Sequence, residues 1–357
     1  MTAEKISELL KEKKVDAALV SSPANIRYIS GFAGTESYLY LTRERKVILT
    51  DSRYTLQAEE EGKDCAVWTM SRERSYGVML GELLREDGVE RLGFEENAML
   101  YGTWNSLWKK SGFGPEHWFM LGDSLSELRV MKNEQELQWM EKAESIGDAA
   151  FSYILNELKP GVTELEIAAK LEYYMRSHGA EGTSFDTIVA SGYHSAMPHA
   201  VPSEKKLEAG DFVTMDFGCK YHGYCSDMTR TVVIGKASER QKEVYNVVLK
   251  AQLTALKGLR PGMTCAEGDR LARDVIEKAG YGQYFGHSLG HSVGLEIHEK
   301  PALSPKDGHV LQAGMVETVE PGIYIPDFGG VRIEDMVVLT ENGVRNLTHS
   351  PKELIEI

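Results

Sequence analysis

The sequence predicts two domains of different class, a small α/β domain over residues 1–128 and an α+β domain with an internal pseudo-twofold repeat over residues 129–357. Three observations predict this. A chain of 357 residues is longer than one hydrophobic core ordinarily supports. Strand and helix patterns alternate in the first third. Beyond residue 129, two segments with the same helix signals recur at a fixed offset.

In the first third, short apolar runs alternate with amphipathic stretches. AALV, YLYLT and KVILT are predicted strands, whereas YTLQAEEE and RSYGVMLGELLRE are predicted helices. Nothing in this part of the sequence has the pattern of a catalytic acid/base pair or of a metal-ligand cluster. A turn-prone segment at residues 111–126 precedes a helix with Asn133 as its N-cap and Glu136 three residues later. The domain boundary is therefore predicted near Arg129.

The repeat consists of LKPGVTELE at residues 158–166 and LRPGMTCAE at residues 259–267. In each segment Pro-Gly stops one helix, and the threonine of a T-x-x-E capping box starts the next. The glycines that end the following helices, Gly179 and Gly280, keep the same offset of 101 residues. Duplication explains a shared offset better than chance does. Polar residues of the two halves are expected to meet at the seam between them.

Composition excludes several classes of partner. Hydrophobic residues make up 42% of the chain and charged residues 26%, as in a soluble globular protein. The net charge of −14 and pI near 5.3 argue against nucleic acid or an anionic membrane, because both require a basic surface.

The cysteines and the N-terminal stretch indicate a cytoplasmic protein. The four cysteines contain no C-x-x-C pair, so free thiols in a reducing compartment are expected. The first 20 residues predict a charged amphipathic helix followed by a strand, and no stretch has the apolar length of a signal peptide or membrane span.

Two aspartates in predicted strands are the first sign of chemistry. Asp216 lies in FVTMDFG and Asp227 in CSDMTRTVVIG, with a turn-prone segment at residues 220–223 between them, which predicts a hairpin. Aspartate is depleted in strand interiors. Two close carboxylates repel each other unless they share a proton or a cation. From these residues alone, a metal site and two solvated strand ends both remain open.

The second half of the repeat adds further candidates. FGHSLGHSVGLEIHE contains His287, His291 and His298, while Glu320 follows VETV and Glu334 follows VRI. Each glutamate ends an apparently buried strand. Four carboxylates and an imidazole in one domain favour a metal cluster.

These five residues and their contexts resemble the pita-bread metallopeptidase family. The contexts are MDFG, SDMTRT, GHSVGLEIHE, EPGIY and GGVRIED. The family includes methionine aminopeptidase, aminopeptidase P and prolidase, and the match extends from residue 129 to the end of the chain. VSSPANIRYISGFAGTE and LTDSRYTLQAE resemble the creatinase-type N-terminal domain, which aminopeptidase P and prolidase carry.

The resemblance implies a dinuclear metal centre. Asp216 would chelate one ion, His291 and Glu320 the other, and Asp227 and Glu334 would bridge both. Such a donor set suits Mn²⁺, with Co²⁺ or Zn²⁺ as alternatives. A hydroxide bridging the two metals would be the nucleophile.

The resemblance also implies roles for residues around the metals. Glu320 would accept the proton of the attacking water, and His199 and His298 would contact the substrate carbonyl or the departing amine. Tyr324 and Arg332 would not bind the metals themselves but would hold the metal ligands in position.

Three positions depart from the family pattern. Ser292 follows His291 where many relatives have glycine, and Glu317 occupies a position that is often apolar. Ala302 stands where some prolidases present an arginine to the carboxylate of a dipeptide. The last departure favours an Xaa-Pro aminopeptidase acting on longer proline-containing peptides, with an Xaa-Pro dipeptidase (prolidase) as the alternative. The resemblance further suggests a homodimer.

Other readings are a non-catalytic pita-bread binding module and a serine hydrolase. A binding module usually lacks some of the ligands. Gly286 to Gly290 fits G-x-S-x-G, but a nucleophile elbow needs a buried strand before it and a helix after it. Here SVGLEIHE is predicted to be a strand. The helix-borne H-E-x-x-H site is excluded because Lys-Pro-Ala follows His298-Glu299.

Overall fold

The structure, a computed structural model, describes residues 3–357. The chain divides into two compact units, Met1–Arg129 and Val130–Ile357. Within residues 3–357, every helix is too short or too polar to span a lipid bilayer.

The first unit alternates strands and helices. Its elements are α1 (Ala3–Glu12), β1 (Ala17–Val20), α2 (Pro23–Ser30), β2 (Ser37–Leu41), β3 (Lys46–Thr50), α3 (Thr55–Glu61), β4 (Ala66–Thr69), α4 (Tyr76–Glu86), β5 (Leu92–Phe94), α5 (Tyr101–Ser111), β6 (Trp118–Met120) and α6 (Ser124–Glu127).

The six strands of this unit form one mixed sheet in the order β4-β3-β2-β1-β5-β6. Alternate residues of β1 point to opposite faces. Ala18 and Val20 join a core that includes residues of α1 and α2, and Ala17 and Leu19 join a second core that includes residues of α4 and α5. Both faces of the sheet are thus covered by helices, and the predicted α/β class of this domain is confirmed.

The second unit contains the repeat. Its elements are α7 (Glu134–Ile154), α8 (Glu164–Ser177), β7 (Gly182–Thr183), β8 (Ile188–Ser191), β9 (Phe212–Phe217), β10 (Cys219–Tyr221), β11 (Tyr224–Cys225), β12 (Met228–Val233), α9 (Glu239–Gly258), α10 (Cys265–Lys278), β13 (Gly290–Ser292), β14 (Glu299–Leu303), β15 (Val316–Val319), β16 (Gly322–Ile325), β17 (Gly329–Arg332), β18 (Asp335–Thr340) and β19 (Gly343–Asn346).

Each half of this unit packs a pair of helices on its own strands. In the first half, α7 and α8 share a core with β9 and β12, which belong to the sheet β12-β9-β8. In the second, α9 and α10 share a core with strands that include β15 and β18, which belong to the sheet β14-β13-β15-β18-β19. An isolated bridge between Thr229 and Glu334 connects the two sheets. The two halves therefore meet at the ends of strands that carry acidic residues.

The predicted helix signals are confirmed. Asn133, Thr163 and Thr264 each cap a helix, and in each case a glutamate three residues later completes the capping box. Gly179 and Gly280 both adopt positive φ just beyond a helix end, a conformation that glycine adopts without steric cost.

Two predictions about strands are wrong in detail. The expected single hairpin is divided, because β9 pairs with β12 while β10 and β11 form a separate hairpin in another sheet. Asp227 consequently precedes β12 rather than lying within it. SVGLEIHE is not a strand, since β13 ends at Ser292 and an irregular loop continues to His298. The short apolar run in this segment fits a strand pattern. The segment is nevertheless not a strand, because residues 293–298 do not pair with a neighbouring strand.

Candidate active site

Two acidic residues of the first half lie on backbone segments whose close approach requires glycine. Asp216 lies on β9 directly opposite Thr229 of β12, and Asp227 immediately precedes β12. A Cβ on Gly218 would lie 1.9 Å from the carbonyl oxygen of Ser226. Only a residue without a side chain allows this approach of the two backbones.

The second half contributes one residue from within a strand and two from strand ends. His291 is the central residue of β13, Glu320 directly follows β15, and Glu334 lies between β17 and β18. The backbone N–H of Glu334 donates to Thr229 O, and the Thr229 hydroxyl donates to Glu334 Oε2 at 2.6 Å. Thr229 thus holds a carboxylate of the second half against the strand that follows Asp227.

All nine residues to which the sequence assigned a role in the site line one cavity of about 620 Å³. They are Asp216, Asp227, His291, Glu320, Glu334, His199, His298, Tyr324 and Arg332. The cavity also has apolar wall residues, namely Phe185, Ile188, Pro198, Val201, Pro202 and Ile297.

The imidazole lies among the carboxylates. His291 Nε2 is 3.6 Å from Asp227 Oδ2 and 3.4 Å from Glu320 Oε1. One ligand atom each of Asp227, His291 and Glu334 lie within 4.8 Å of one another. These side chains are close enough to bind a common cation.

Asp216 provides a further test of whether this donor set fits a metal. Its Oδ2 accepts a hydrogen bond from Arg332 Nη2 at 2.7 Å. Its Oδ1 is buried and has no hydrogen-bond partner among the described residues. A buried carboxylate oxygen without a donor is costly unless a cation lies next to it. Together with the adjacent carboxylates and imidazole, this oxygen fits a divalent metal centre.

Burial raises the pKa of three of the acidic side chains, Asp227, Glu320 and Glu334. The pKa of Asp227 is raised well above its usual value by burial and then by the charge of Glu334, and that of Glu334 by burial and then by Glu320. Burial also raises the pKa of Glu320 to about 8, although the charge of Arg332 lowers it. Without a cation the cluster retains protons at neutral pH, and a divalent ion would displace them.

His291 is prepared to act as a neutral ligand. Burial, and then the nearby His298, lower its pKa to about 4. Its Nδ1 lies 3.1 Å from the carbonyl oxygen of Ser292. If Nδ1 carries the proton and donates to that carbonyl, the Nε2 lone pair faces the carboxylates.

Arg332 and Tyr324 form a hydrogen-bonded chain behind Asp216. Arg332 Nη1 donates to the Tyr324 hydroxyl at 2.7 Å, and that hydroxyl lies 3.0 Å from His287 Nε2. Burial raises the pKa of Tyr324 to about 12 and lowers that of His287 to about 4. His287, to which the sequence assigned no role, is therefore a neutral ring in the cavity wall.

The two other histidines occupy different elements. The His298 ring contacts the His291 ring edge-on, with centroids 4.4 Å apart. His199 lies on the loop between β8 and β9. Both face the cavity that contains the carboxylates, so both are in place to contact a bound substrate.

Sequence reasoning missed Glu144, a buried residue of α7. Its Oε2 accepts a hydrogen bond from the backbone N–H of Asp227 at 3.3 Å, and its Oε1 accepts one from Thr348 at 2.6 Å. Burial raises its pKa to about 8. The sequence contained a signal, because Glu144 lies four residues after Met140 and seven before Phe151, on the buried face of the helix.

Arg230 was also missed. This fully buried residue of β12 donates from Nη1 to the carbonyl oxygens of Thr229 and Glu334, at 2.9 and 2.5 Å, and from Nη2 to Asp335 Oδ1 at 2.8 Å. It thereby joins the strands of the two halves beside the carboxylates. An arginine in the β-branched run TRTVV is the signal that could have identified it.

The region around Ser288 does not form a nucleophile elbow. A single 3₁₀ turn, Gly282–Tyr284, precedes it, and β13 begins at Gly290 after it. The required order of strand, serine and helix is not found in these residues.

The fold and the site define a two-domain metallopeptidase. The chain belongs to metallopeptidase family M24, whose sequence pattern matches residues 138–341. The pattern of the creatinase/prolidase N-terminal domain matches residues 3–130. The predicted family, the pita-bread fold with its creatinase-type N-terminal domain, and the prediction of a peptidase are confirmed. Membership also implies divalent metal ions as cofactors.

Individual relatives match along nearly the whole chain. An Xaa-Pro dipeptidase of Pyrococcus horikoshii is 41% identical over 353 residues, which cover 99% of this chain and 98% of that protein. The structure of an Xaa-Pro dipeptidase from Bacillus anthracis is 41% identical with a TM-score of 0.95, covering 99% of both chains. The structure of an X-Pro aminopeptidase from Thermotoga maritima is 38% identical with a TM-score of 0.90 and the same coverage.

Proposed function

We propose that this peptidase hydrolyses Xaa-Pro dipeptides and releases the first residue from proline. The observation that carries the proposal is the convergence of the five proposed ligand residues in one partly apolar cavity. The chain is also 41% identical to an Xaa-Pro dipeptidase of Pyrococcus horikoshii and to one of Bacillus anthracis. The sequence has Ala302 where some prolidases have an arginine, and this position favours the Xaa-Pro aminopeptidase instead. These relatives support the dipeptidase better.

The cavity suits the bond to be cleaved. An Xaa-Pro bond is a tertiary amide without an N–H, and the pyrrolidine ring fixes φ. A site for it needs an apolar surface for the ring rather than an acceptor for an amide hydrogen. Ile188, Pro198 and Ile297 provide such a surface in the wall that also carries the carboxylates.

The metal ligands are proposed to be Asp216, Asp227, His291, Glu320 and Glu334. Two divalent ions, proposed to be Mn²⁺ because the donors are mainly oxygen, would supply Lewis acidity and make a hydroxide nucleophile accessible at neutral pH. Asp227 of the first half and Glu334 of the second would contact both ions.

Other side chains would handle the proton and the substrate. Glu320 Oε1 accepts a hydrogen bond from Thr318 at 3.1 Å, which fixes the carboxyl that is proposed to hold the proton of the attacking water. His199 and His298 are proposed to orient the substrate carbonyl and the departing proline amine. Tyr324 and Arg332 would hold Asp216 in place.

The carboxylate of a dipeptide also needs a polar or cationic partner. A second cavity of about 590 Å³ adjoins the first, because Ser288 and Ala302 line both. Lys306 lines this second cavity. We propose that its ammonium group is the cation that binds the carboxylate of the dipeptide. Lys306→Ala is expected to raise KM for Ala-Pro about tenfold, a loss of about 1.4 kcal/mol in binding, while the metal content remains unchanged. An unaltered KM would exclude the assignment.

The experiment that tests the proposal is cleavage of Ala-Pro and Ala-Pro-Ala, followed by mass spectrometry, with Mn²⁺ and then with excess chelator. We expect alanine to be released from Ala-Pro and the release to stop with chelator. Release from Ala-Pro-Ala alone would establish the aminopeptidase. Cleavage of neither peptide would reject Xaa-Pro specificity.

Two further proposals concern assembly and location. We propose a homodimer in the cytoplasm, with proline-containing peptides as the partners of the site and no nucleic acid or membrane partner. Light scattering of the purified chain would reveal a monomer or a higher oligomer, and cell fractionation would reveal a membrane-bound or exported pool.

A further inference from the structure

Glu164, the first residue of α8, lies fully buried outside the cavity. Its Oε1 accepts hydrogen bonds from the backbone N–H and the hydroxyl of Ser191, at 2.7 and 2.8 Å. Its Oε2 accepts hydrogen bonds from the backbone N–H and the hydroxyl of Ser203, at 3.1 and 2.7 Å. The His194 Nδ1 atom lies 3.2 and 3.1 Å from the same two oxygens. One carboxylate thus binds both ends of residues 191–203.

This segment, here called the 191–203 loop, forms part of the cavity wall. Five consecutive residues of the loop, Pro198 to Pro202, line the cavity, and His199 is one of them. The position of His199 toward the carboxylates therefore depends on how the loop is held.

The middle of the loop has a separate attachment. Ser195 Oγ donates to Gly192 O at 2.5 Å and accepts a hydrogen bond from the backbone N–H of Gly330 at 2.8 Å. Gly330 belongs to β17, which ends at Arg332. The loop is thus secured near its middle to the strand of Arg332 and at its ends to Glu164, and His199 lies between these attachments.

The helix itself does not account for a carboxylate at position 164. Thr163 and Glu166 already form the capping box of α8. At the repeat offset of 101 residues, the counterpart of Glu164 is Cys265, which also lies buried at the start of its helix behind an intact capping box. The same helix start therefore forms without a carboxylate. The carboxylate of Glu164 therefore serves the loop, whose two ends it binds.

We propose that Glu164 is a positioning residue that holds the 191–203 loop and thereby places His199 for substrate binding. The role of His199 rests on the proposed function, whereas the hold on the loop does not. In Glu164→Gln the side-chain nitrogen carries hydrogens and has no lone pair to offer. The donors of either Ser191 or Ser203 would lose their acceptor, which is costly at a buried site.

The test combines hydrogen exchange with a double-mutant cycle. Glu164→Gln is expected to increase amide exchange in residues 191–203 and to lower kcat/KM for Ala-Pro about tenfold, mainly through KM. In a His199→Ala background the same substitution is expected to change kcat/KM less than twofold, because the group that it positions is missing. Metal content should be unchanged. The control is Glu166→Gln on the same helix turn, which can still cap the helix and should alter neither exchange in the loop nor kcat/KM.

The proposal would be overturned if Glu164→Gln left amide exchange in the loop unchanged. It would also be overturned if Glu164→Gln lowered kcat/KM by a full tenfold in the His199→Ala background. If Glu164→Gln does not fold, Ser203→Ala removes one donor hydroxyl and should produce the same pattern with a smaller, about threefold, effect. If the wild-type protein cleaves neither peptide, the proposed substrate is wrong, and loop exchange alone decides whether Glu164 holds the loop.

Discussion

The hydroxyl of Ser292 donates a hydrogen bond to Glu317 Oε1 at 2.6 Å, between two side chains that are excluded from solvent. The two residues lie directly opposite each other on β13 and β15. The sequence singled out both residues as departures from the pattern of the family it resembles, and the structure shows that they are partners. Because Ser292 follows His291 and Glu320 follows β15, this contact joins the two strands that carry or precede these two proposed metal ligands.

Glu317→Gln is expected to make stability less dependent on pH. Burial raises the pKa of Glu317 to about 8 from a usual value of 4.5. Since the folded pKa lies above the unfolded one, the contribution of this group to stability is present below about pH 4.5 and is lost as pH rises toward 8. Glutamine still accepts from Ser292 but cannot ionise.

The measurement is urea unfolding of the metal-free wild type and of Glu317→Gln at pH 5 and pH 9. From pH 5 to pH 9, we expect the free energy of unfolding of the variant to rise relative to that of the wild type by on the order of a few kcal/mol. The control is Glu341→Gln, an exposed residue. If the difference in free energy of unfolding between variant and wild type does not change with pH, Glu317 does not titrate between pH 5 and pH 9.

Metal binding is expected to stabilise the protein more at pH 8 than at pH 5.5. The pKa of Glu320 is raised to about 8, and the pKa values of Asp227 and Glu334 are raised well above their usual values. As pH rises through these values, the metal-free fold loses stability because carboxylates ionise close together. Protons compete less with the metal over the same range.

Differential scanning calorimetry with and without Mn²⁺ at the two pH values measures this. The increase in Tm on adding metal should be several degrees larger at pH 8. An equal increase at both values would mean that the metal does not displace protons from these carboxylates.

Asp227→Ala and Glu334→Ala are each expected to reduce turnover by about 10³-fold or more, because each removes a proposed ligand of both ions. The fold should be retained, since the substitution removes one of several mutually repelling carboxyls from a buried site. Peptide cleavage, circular dichroism and metal analysis of each variant are the measurements. Full activity in either variant would contradict the metal assignment.

His298→Ala and His291→Ala are expected to differ in metal content. His298 packs against His291 without being assigned as a ligand, so its loss should lower kcat about 10²-fold and leave bound metal nearly unchanged. His291→Ala should lower the bound metal as well. Equal metal loss in both variants would show that His298 is itself a ligand.

Much of the fold could be predicted from the sequence because the signals that define helix ends are local. A capping box, a Pro-Gly stop or a glycine at positive φ depends on a few neighbouring residues, and these predicted the helix ends of both repeats as the structure has them. The candidate ligands were identified from the resemblance and from acidic residues in apolar strands, and all of them line one cavity.

Only the tertiary structure decided which buried polar groups support the site. Glu144, Glu164 and Arg230 lie far along the chain from most of the atoms they contact, and in the sequence each is one charged residue among many. The partnership of Ser292 and Glu317 likewise arises from the pairing of two strands. A hydrogen bond between residues distant in sequence depends on strand register and helix packing, which the whole chain determines, so local patterns predict the elements and the ligands but not the contacts that hold them.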